Sequence, residues 1–175
     1  MLYTRKGDTG TTKTYGCDQR MSKSSAVAEA LGSLDEINSF LGLVKVKSDP
    51  ETAKMLHSIQ ENLFIIQAEV AGFPKSLPAG RVEELEKIID DIEKKMPPIK
   101  TFFISGGTES AALFDISRTI ARRAERRVVA VADEKIVNIS KETLAFLNRL
   151  SSILYALARF ANHKGGIMEQ SPNYK

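Results

Sequence analysis

From residue 24 onward the apolar positions of this chain recur every three or four residues, and the recurrence breaks only at short polar runs rich in glycine or proline. The first such stretch, Ser24 to Lys47, places Val27, Ala30, Leu31, Leu34, Ile37, Leu41 and Val44 on one side of a helix. Asp49 and Pro50 close it and open a second, Pro50 to Ala71, whose inward face is Leu56, Ile59, Leu63, Ile66 and Val70. Gly72, Phe73 and Pro74 end that helix. A third, Arg81 to Lys95, turns Val82, Leu85, Ile88, Ile89 and Ile92 inward and dense charge outward, until Met96, Pro97 and Pro98 stop it. A fourth runs from Glu109 to Ala132 and a fifth from Lys141 to His163. Strand-like character is confined to the patch Phe102, Phe103, Ile104. The pattern therefore predicts an all-α fold, a five-helix up-and-down bundle over residues 24–163 with short connections. Gly32 and Gly42 cost the first helix stability, and they predict close approach there by another backbone or a ligand.

The first 23 residues depart from this pattern. Tyr3-Thr4-Arg5-Lys6-Gly7-Asp8-Thr9-Gly10-Thr11-Thr12-Lys13-Thr14-Tyr15-Gly16 is a run of glycines, hydroxyls and cations. Glycine lets a backbone approach a ligand, hydroxyls and free N–H groups bind anionic oxygens, and Lys or Arg neutralises their charge. The run reads as a polar phosphate-binding loop with Asp8 available to hold a metal ion; an unstructured N-terminal arm is the competing reading. Residues 164–175 read as a mobile tail.

Composition narrows the class. At 175 residues, 42% apolar and 27% charged, the chain fits one domain with a continuous core. A single cysteine, Cys17, rules out an internal disulfide framework, and no apolar run approaches the roughly 20 residues that span a bilayer. No signal peptide is visible, so a cytoplasmic protein is expected, without a membrane partner. The net charge of +3 is too small to argue for nucleic acid, so an anion site has to come from local clustering.

Such a cluster lies on the fourth helix. Arg118, Arg122, Glu125 and Arg126 share one face, opposite a stripe of Leu113, Ile120, Ala124, Val128 and Val131. A column of arginines is most often simply solvated. Here arginine is used to the exclusion of lysine, and guanidinium suits bidentate recognition of phosphate or carboxylate, so a ligand-binding face is the favoured reading, with Glu125 orienting a guanidinium. Ser105-Gly106-Gly107-Thr108, just upstream, is either an anion site at a helix start or an ordinary N-cap. Phe102 and Phe103 read as core anchors. Asn148 and Arg149 interrupt the apolar face of the fifth helix, and Asp35 and Glu36 that of the first; each needs partners. An ion pair from Asp35 to the arginine column, within the chain or between subunits, is one use. The Walker A pattern, Glu-x-x-His pairs, a zinc ligand set and a Cys-His pairing are not found in the sequence.

Five segments in order resemble the PduO-type ATP:cob(I)alamin adenosyltransferases nearly end to end. They are Tyr3 to Gly10, Ala30-Leu-Gly-Ser-Leu-Asp-Glu-Ile-Asn-Ser39, Ser105 to Gly107, Arg122-Arg-Ala-Glu-Arg126 and Phe146-Leu-Asn-Arg-Leu-Ser151. The resemblance implies transfer of the 5′-deoxyadenosyl group of ATP to the cobalt of cob(I)alamin, with magnesium accompanying ATP and cobalamin as the second substrate. It implies a homotrimer of five-helix bundles with active sites between subunits. It also implies a cobalamin reductase and a cobalamin-dependent acceptor enzyme as partners. On this resemblance Thr4, Arg5, Lys6, Gly7, Asp8, Gly10, Thr12, Lys13, Lys23, Arg122, Glu125, Arg126 and Asn148 bind ATP, and Arg126, Arg122 and Asp35 carry catalysis. Arg122 would pair with Asp35 across the interface, and Phe102 would wall the corrin side; the metal ligands stay unknown. The sequence departs from the family at Ser24 and Ser25, where two aspartates are usual, at Ile104-Ser105, where Leu-Pro is usual, and at Ser152, where an aspartate is common. The alternatives are a non-catalytic trimeric nucleotide-binding regulatory or scaffold protein, and a basic helical nucleic-acid binder favoured only by the arginine column.

Overall fold

The computed structural model describes residues 3–14 and 19–174. Tyr15 and Gly16, the end of the polar run, and Cys17 lie outside the described residues. Five helices follow in chain order: α1 Ala26–Val46, α2 Pro50–Val70, α3 Arg81–Glu93, α4 Glu109–Asp133 and α5 Lys141–Lys164. Each boundary falls within one turn of the expected place because short polar side chains fix the starts. Ser25, Asp49, Thr108 and Ser140 cap α1, α2, α4 and α5, accepting from the N–H of Ala28, Thr52, Ala111 and Thr143. Helix α3 starts instead after Gly80 at φ 88°, with no side-chain cap.

The helices neighbour one another in the order α2, α1, α4, α5, α3. Cross-links give their directions. Lys45 to Gln60 ties the facing ends of α1 and α2, while Arg127 to Glu29 and Lys47 to Glu109 show α1 antiparallel to α4. Asn148 to Glu125 and Asn162 to Thr108 show the same for α4 and α5. Glu86 to Arg149 and Pro97 to Arg159 run α3 alongside α5 in the same direction. The bundle is thus up-and-down as expected. Glu69, buried near the end of α2, accepts from the Ser140 N–H at 2.7 Å and from the Thr143 hydroxyl, which fastens α2 to the start of α5. The apolar faces read from the sequence form the core: Leu34, Ile37, Leu41, Leu56, Leu63, Ile66, Phe146, Leu147, Leu150 and Leu154 are fully buried. Leu31, Val82, Ile88, Ile89, Leu113 and Leu144 pack against its edge, half-buried.

Two expectations are corrected, those on the strands and on Phe102. The N-terminal segment contains a small antiparallel ribbon, β1 Thr11–Thr12 with β2 Met21–Ser22, Thr11 facing Ser22 and Thr12 facing Met21. Two residues per strand leave no alternation to read. Gly32 faces open space, with nothing within 4 Å of where a Cβ would stand, so none of the described backbone approaches it. The tail is not free where it leaves α5: Ile167 N–H donates to the Asn162 carbonyl at 3.0 Å, and Ile104 N–H donates to the Gln170 carbonyl at 2.8 Å. Phe102 is no core anchor, since it is 78% exposed, and Phe103 is half-buried.

The turn into α4 is the most constrained backbone of the fold. Gly106 and Gly107 have φ of 110° and 108°, a region that side chains rarely adopt. Asn162 grips the turn from α5: its Oδ1 accepts from Thr108 N–H at 2.9 Å and its Nδ2 donates to the Gly106 carbonyl at 2.8 Å. A Cβ on Gly107 would stand 2.3 Å from that Oδ1, whereas one on Gly106 would meet nothing within 4 Å. Gly106→Ala is therefore expected to cost about 1 kcal/mol of backbone strain, and Gly107→Ala at least ~2–3 kcal/mol. Urea unfolding of the two variants measures the difference; equal losses would show that Asn162 yields freely.

Candidate functional site

Helix α4 carries five arginines, and the structure sorts them into two kinds. Arg123 pairs with Glu36, and Arg127 approaches Glu29 at 3.7 Å; both carboxylates stand on α1. Arg118 lies 3.9 Å from Asp115 and 5.8 Å from the centre of the Tyr155 ring. Its Nε is buried without a hydrogen-bond partner, since 3.9 Å is too long for one. Arg122 and Arg126, one turn apart, are exposed and make no ion pair among the described residues. Like charges at that spacing oppose one another. These two guanidiniums are available to an anion without giving up any bond.

On the facing side of α5, Asn148 is held rather than free. Its Nδ2 donates to Glu125 Oε1 at 2.9 Å and its Oδ1 accepts from Arg149 Nη1 at 2.8 Å. Arg149 in turn donates through Nε to Glu86 on α3 at 2.7 Å. The chain Glu125, Asn148, Arg149, Glu86 thus crosses three helices and fixes the amide beside the arginine face. Glu125 orients an amide here, not the guanidinium the sequence suggested.

A solvent-open cleft of about 600 Å³ lies farther along the same face. Arg118 and Arg122 of α4, Ser151, Ser152 and Tyr155 of α5, and the connection from Ile99 to Ser105 line it. Phe102 sits on its rim, 78% exposed. Burial raises the Tyr155 phenol above its ordinary 10.0, while the nearby Arg159 and Arg118 charges pull the other way. It remains a protonated donor at neutral pH. Within the Ser105 to Thr108 turn Gly106 N–H donates to Asp115 Oδ2 at 2.9 Å, Asn162 takes the Thr108 N–H and the Thr108 hydroxyl caps α4, while Ser105 lines the cleft.

The polar N-terminal loop is organised by a residue that the sequence reading did not single out. Arg20 donates through Nε to Thr11 Oγ1 and through Nη2 to the carbonyls of Thr11 and Lys6. Turns close from Arg5 to Asp8 and from Gly7 to Gly10, with Arg5 at φ 59°. The Lys23 N–H donates to the Gly10 carbonyl, and the Lys23 ammonium comes within 3.2 Å of the space beside Gly7. Thr4, Arg5, Lys6, Gly7, Asp8, Gly10, Thr12, Lys13 and Lys23 therefore lie on one ribbon-bound loop that leads into the start of α1.

Among the expected site residues, Arg122 and Phe102 share the cleft, and Glu125 is bonded to Asn148. Arg126 stands one turn beyond Arg122. Asp35 is exposed on α1 and forms no pair with Arg122 inside the chain. Tyr155 and Arg20 were not singled out from the sequence, whereas Arg118 was read there as part of the arginine column. The spacing of Asn148, Ser151, Ser152 and Tyr155 on one face of α5 signals the first; nothing in the apolar pattern signals Arg20.

A cationic helix face running into an aromatic-rimmed cleft, on an all-α bundle, defines a binder for a ligand with an anionic part and a large apolar part. The chain belongs to the cobalamin adenosyltransferase family, whose model matches residues 2–161. It is similar to the corrinoid adenosyltransferase of Bacillus subtilis, 39% identical over an aligned length of 176 that covers 95% of this chain and 89% of that one. It is 37% identical over 170 residues to the corrinoid adenosyltransferase PduO of Citrobacter freundii, covering 93% of this chain and 50% of the relative, so it spans about half the length of that protein. Among solved structures it resembles a variant PduO-type ATP:corrinoid adenosyltransferase from Lactobacillus reuteri complexed with cobalamin and ATP. That likeness has a TM-score of 0.90 and 31% identity, over 99% of this chain and 97% of that one.

Arg20→Ala should loosen the loop alone. Amide exchange at residues 7–12 is expected to speed up at least roughly tenfold while the melting temperature of the bundle changes little. Unchanged exchange would mean that the ribbon holds itself.

Proposed function

We propose that the chain transfers the 5′-deoxyadenosyl group of ATP to the cobalt of cob(I)alamin, giving adenosylcobalamin and triphosphate. The observation that carries this reading is the pair of unpaired guanidiniums, Arg122 and Arg126, set beside a cleft rimmed by Phe102. Family membership and the Lactobacillus reuteri structure complexed with cobalamin and ATP support it.

On this reading the loop residues Thr4, Arg5, Lys6, Gly7, Asp8, Gly10, Thr12, Lys13 and Lys23 wrap the nucleotide. Arg126, Arg122, Asn148 and Glu125 orient it from the helices. Cobalt(I) attacks C5′ with its own electron pair; a cobalt–carbon bond forms, the C5′–O bond breaks, and that bond's pair leaves with triphosphate. No protein base is needed. The chain's task is to align ATP, neutralise the departing charge and exclude water. Phe102 provides an apolar surface that would displace a lower axial ligand and so ease formation of cobalt(I).

Among the described residues no group of three or more His, Cys, Asp or Glu is placed to hold a metal ion. Magnesium fits without such a cage, because it keeps several waters and binds chiefly through substrate phosphates; Asp8 is the loop carboxylate within reach of that role. When bound it would supply charge neutralisation to the triphosphate.

The assembly belongs to the same reading. Gly32 and Asp35 lie on an exposed face of α1 that no element of the chain covers, where Leu43 and Val46 are also exposed, at 45% and 77%. A homotrimer that sets this face against the arginine column of a neighbour would bring Asp35 to Arg122. A cytoplasmic setting, a cobalamin reductase supplying cobalt(I), and a cobalamin-dependent enzyme accepting the product complete the proposal. Among the described residues no helix is long and apolar enough to cross a membrane.

Two experiments test the reading. Reduced cobalamin incubated anaerobically with ATP, magnesium and the protein should yield a photolabile organocobalt product, and Arg126→Ala should lower turnover about 10²–10³-fold. ATP binding without any product, or an Arg126→Ala variant of normal turnover, would overturn it. Asp35→Asn and Arg122→Ala, singly and together, should couple by at least ~0.5 kcal/mol in assembly or activity; strictly additive losses would exclude the contact.

A further inference from the structure

Arg159 on α5 is 7% exposed, and among the described residues no other arginine or lysine is buried. Its guanidinium ties together three separate pieces of chain. Nε donates to Glu169 Oε2 at 3.0 Å, Nη2 donates to the Pro97 carbonyl at 3.3 Å, and the guanidinium carbon lies 5.3 Å from the centre of the Phe103 ring. The Glu169 side chain is itself 17% exposed. Taking such a pair out of water is expensive unless further bonds repay the desolvation. A C-terminal segment is ordinarily left loose. Here one is drawn in by a buried charge.

The segment it secures is the outer wall of the cleft. Residues 97–104 are held at Pro97 by Arg159, at Phe103 by the stacked guanidinium, and at Ile104 by the Gln170 carbonyl. Phe102 shares none of these bonds and is exposed, so its place on the rim is set by the neighbours that do. Tyr155, one turn before Arg159 on α5, lines the same cleft. We propose that Glu169, acting through Arg159, is a positioning residue that holds the Phe102 to Ile104 wall in register. The segment after α5 thereby shapes the corrinoid side of the site. The inference rests on the reading of the Phe102 cleft as that side.

Glu169→Gln removes the charge without changing the shape and leaves the helical core intact; Glu169→Asp keeps the charge, and Phe102→Ala reports on the cleft itself. Steady-state kinetics in cob(I)alamin and in ATP are compared with urea unfolding of each variant. Glu169→Gln is expected to raise the KM for cob(I)alamin roughly tenfold. The KM for ATP should stay within about twofold, with Glu169→Asp recovering most of the loss. If Phe102→Ala raises the KM for cob(I)alamin and Glu169→Gln does not, the latch is wrong and the cleft reading stands. A rise in both KM values together, tracking lost stability, would reduce Glu169 to a structural role and overturn the proposal. If Phe102→Ala leaves cob(I)alamin kinetics untouched, the cleft reading falls and the latch with it.

Discussion

Five guanidiniums on one helix repel one another, and the whole site follows from how the neighbouring helix answers them. Helix α1 presents Glu29 and Glu36 to Arg127 and Arg123, the two that lean toward it. Among the described residues Arg122 and Arg126 make no ion pair with α1, and Glu125, between them on the helix, is bonded to Asn148. The fold thus leaves uncompensated charge at one place and compensates it elsewhere. Exposure keeps this inexpensive, because water screens the remaining pair until something displaces it.

Around that face the bundle divides into rigid and soft parts. Ala121, Ala124 and Val128 anchor the buried side of α4, and Asn162 and Asp115 pin the turn that starts it, so the helix backbone that carries the arginine column is well held. The polar loop is different. Two-residue strands at largely half-buried positions, two backbone turns and the exposed Arg20 bonds organise it. On the proposed reading, a cationic helix face with a polar loop before α1 divides the work between preorganisation, supplied by the helices, and enclosure, supplied by the loop.

The helices were legible because their cores are periodic and their starts are capped; Leu34, Leu63 and Leu150 announce burial by spacing alone. The charged candidates were legible as a face but not as a pairing. Arg122 and Arg123 look alike in the sequence, and only the packing of α1 on α4 tells the paired from the unpaired. Gly32 is legible in the same limited way: a helical glycine signals an approach without saying whether the partner is in the chain. Phe102 and Phe103 read alike as core, yet one is turned out and the other held by Arg159. Arg20 and Glu169 act through carbonyls and charges in irregular segments, where no periodicity exists to carry a signal.

The sparse titratable inventory of the site then has a physical logic. On the proposed reading the nucleophile is a metal centre that brings its own electron pair, so a histidine or carboxylate base near C5′ would add nothing to bond formation. What rises along the reaction is negative charge on the departing triphosphate, and fixed cations stabilise it best when they need not reorganise. Arginine suits this better than lysine, since it stays charged in any surroundings and presents its donors in a rigid fork. Both His57 and His163 lie exposed and line no part of the cleft. On that reading the column on α4, with the loop cations and magnesium, supplies the charge such a step needs while the aromatic rim keeps water from the cobalt, so that the arginines and the wall proposed to be steadied by Glu169 form one device rather than two.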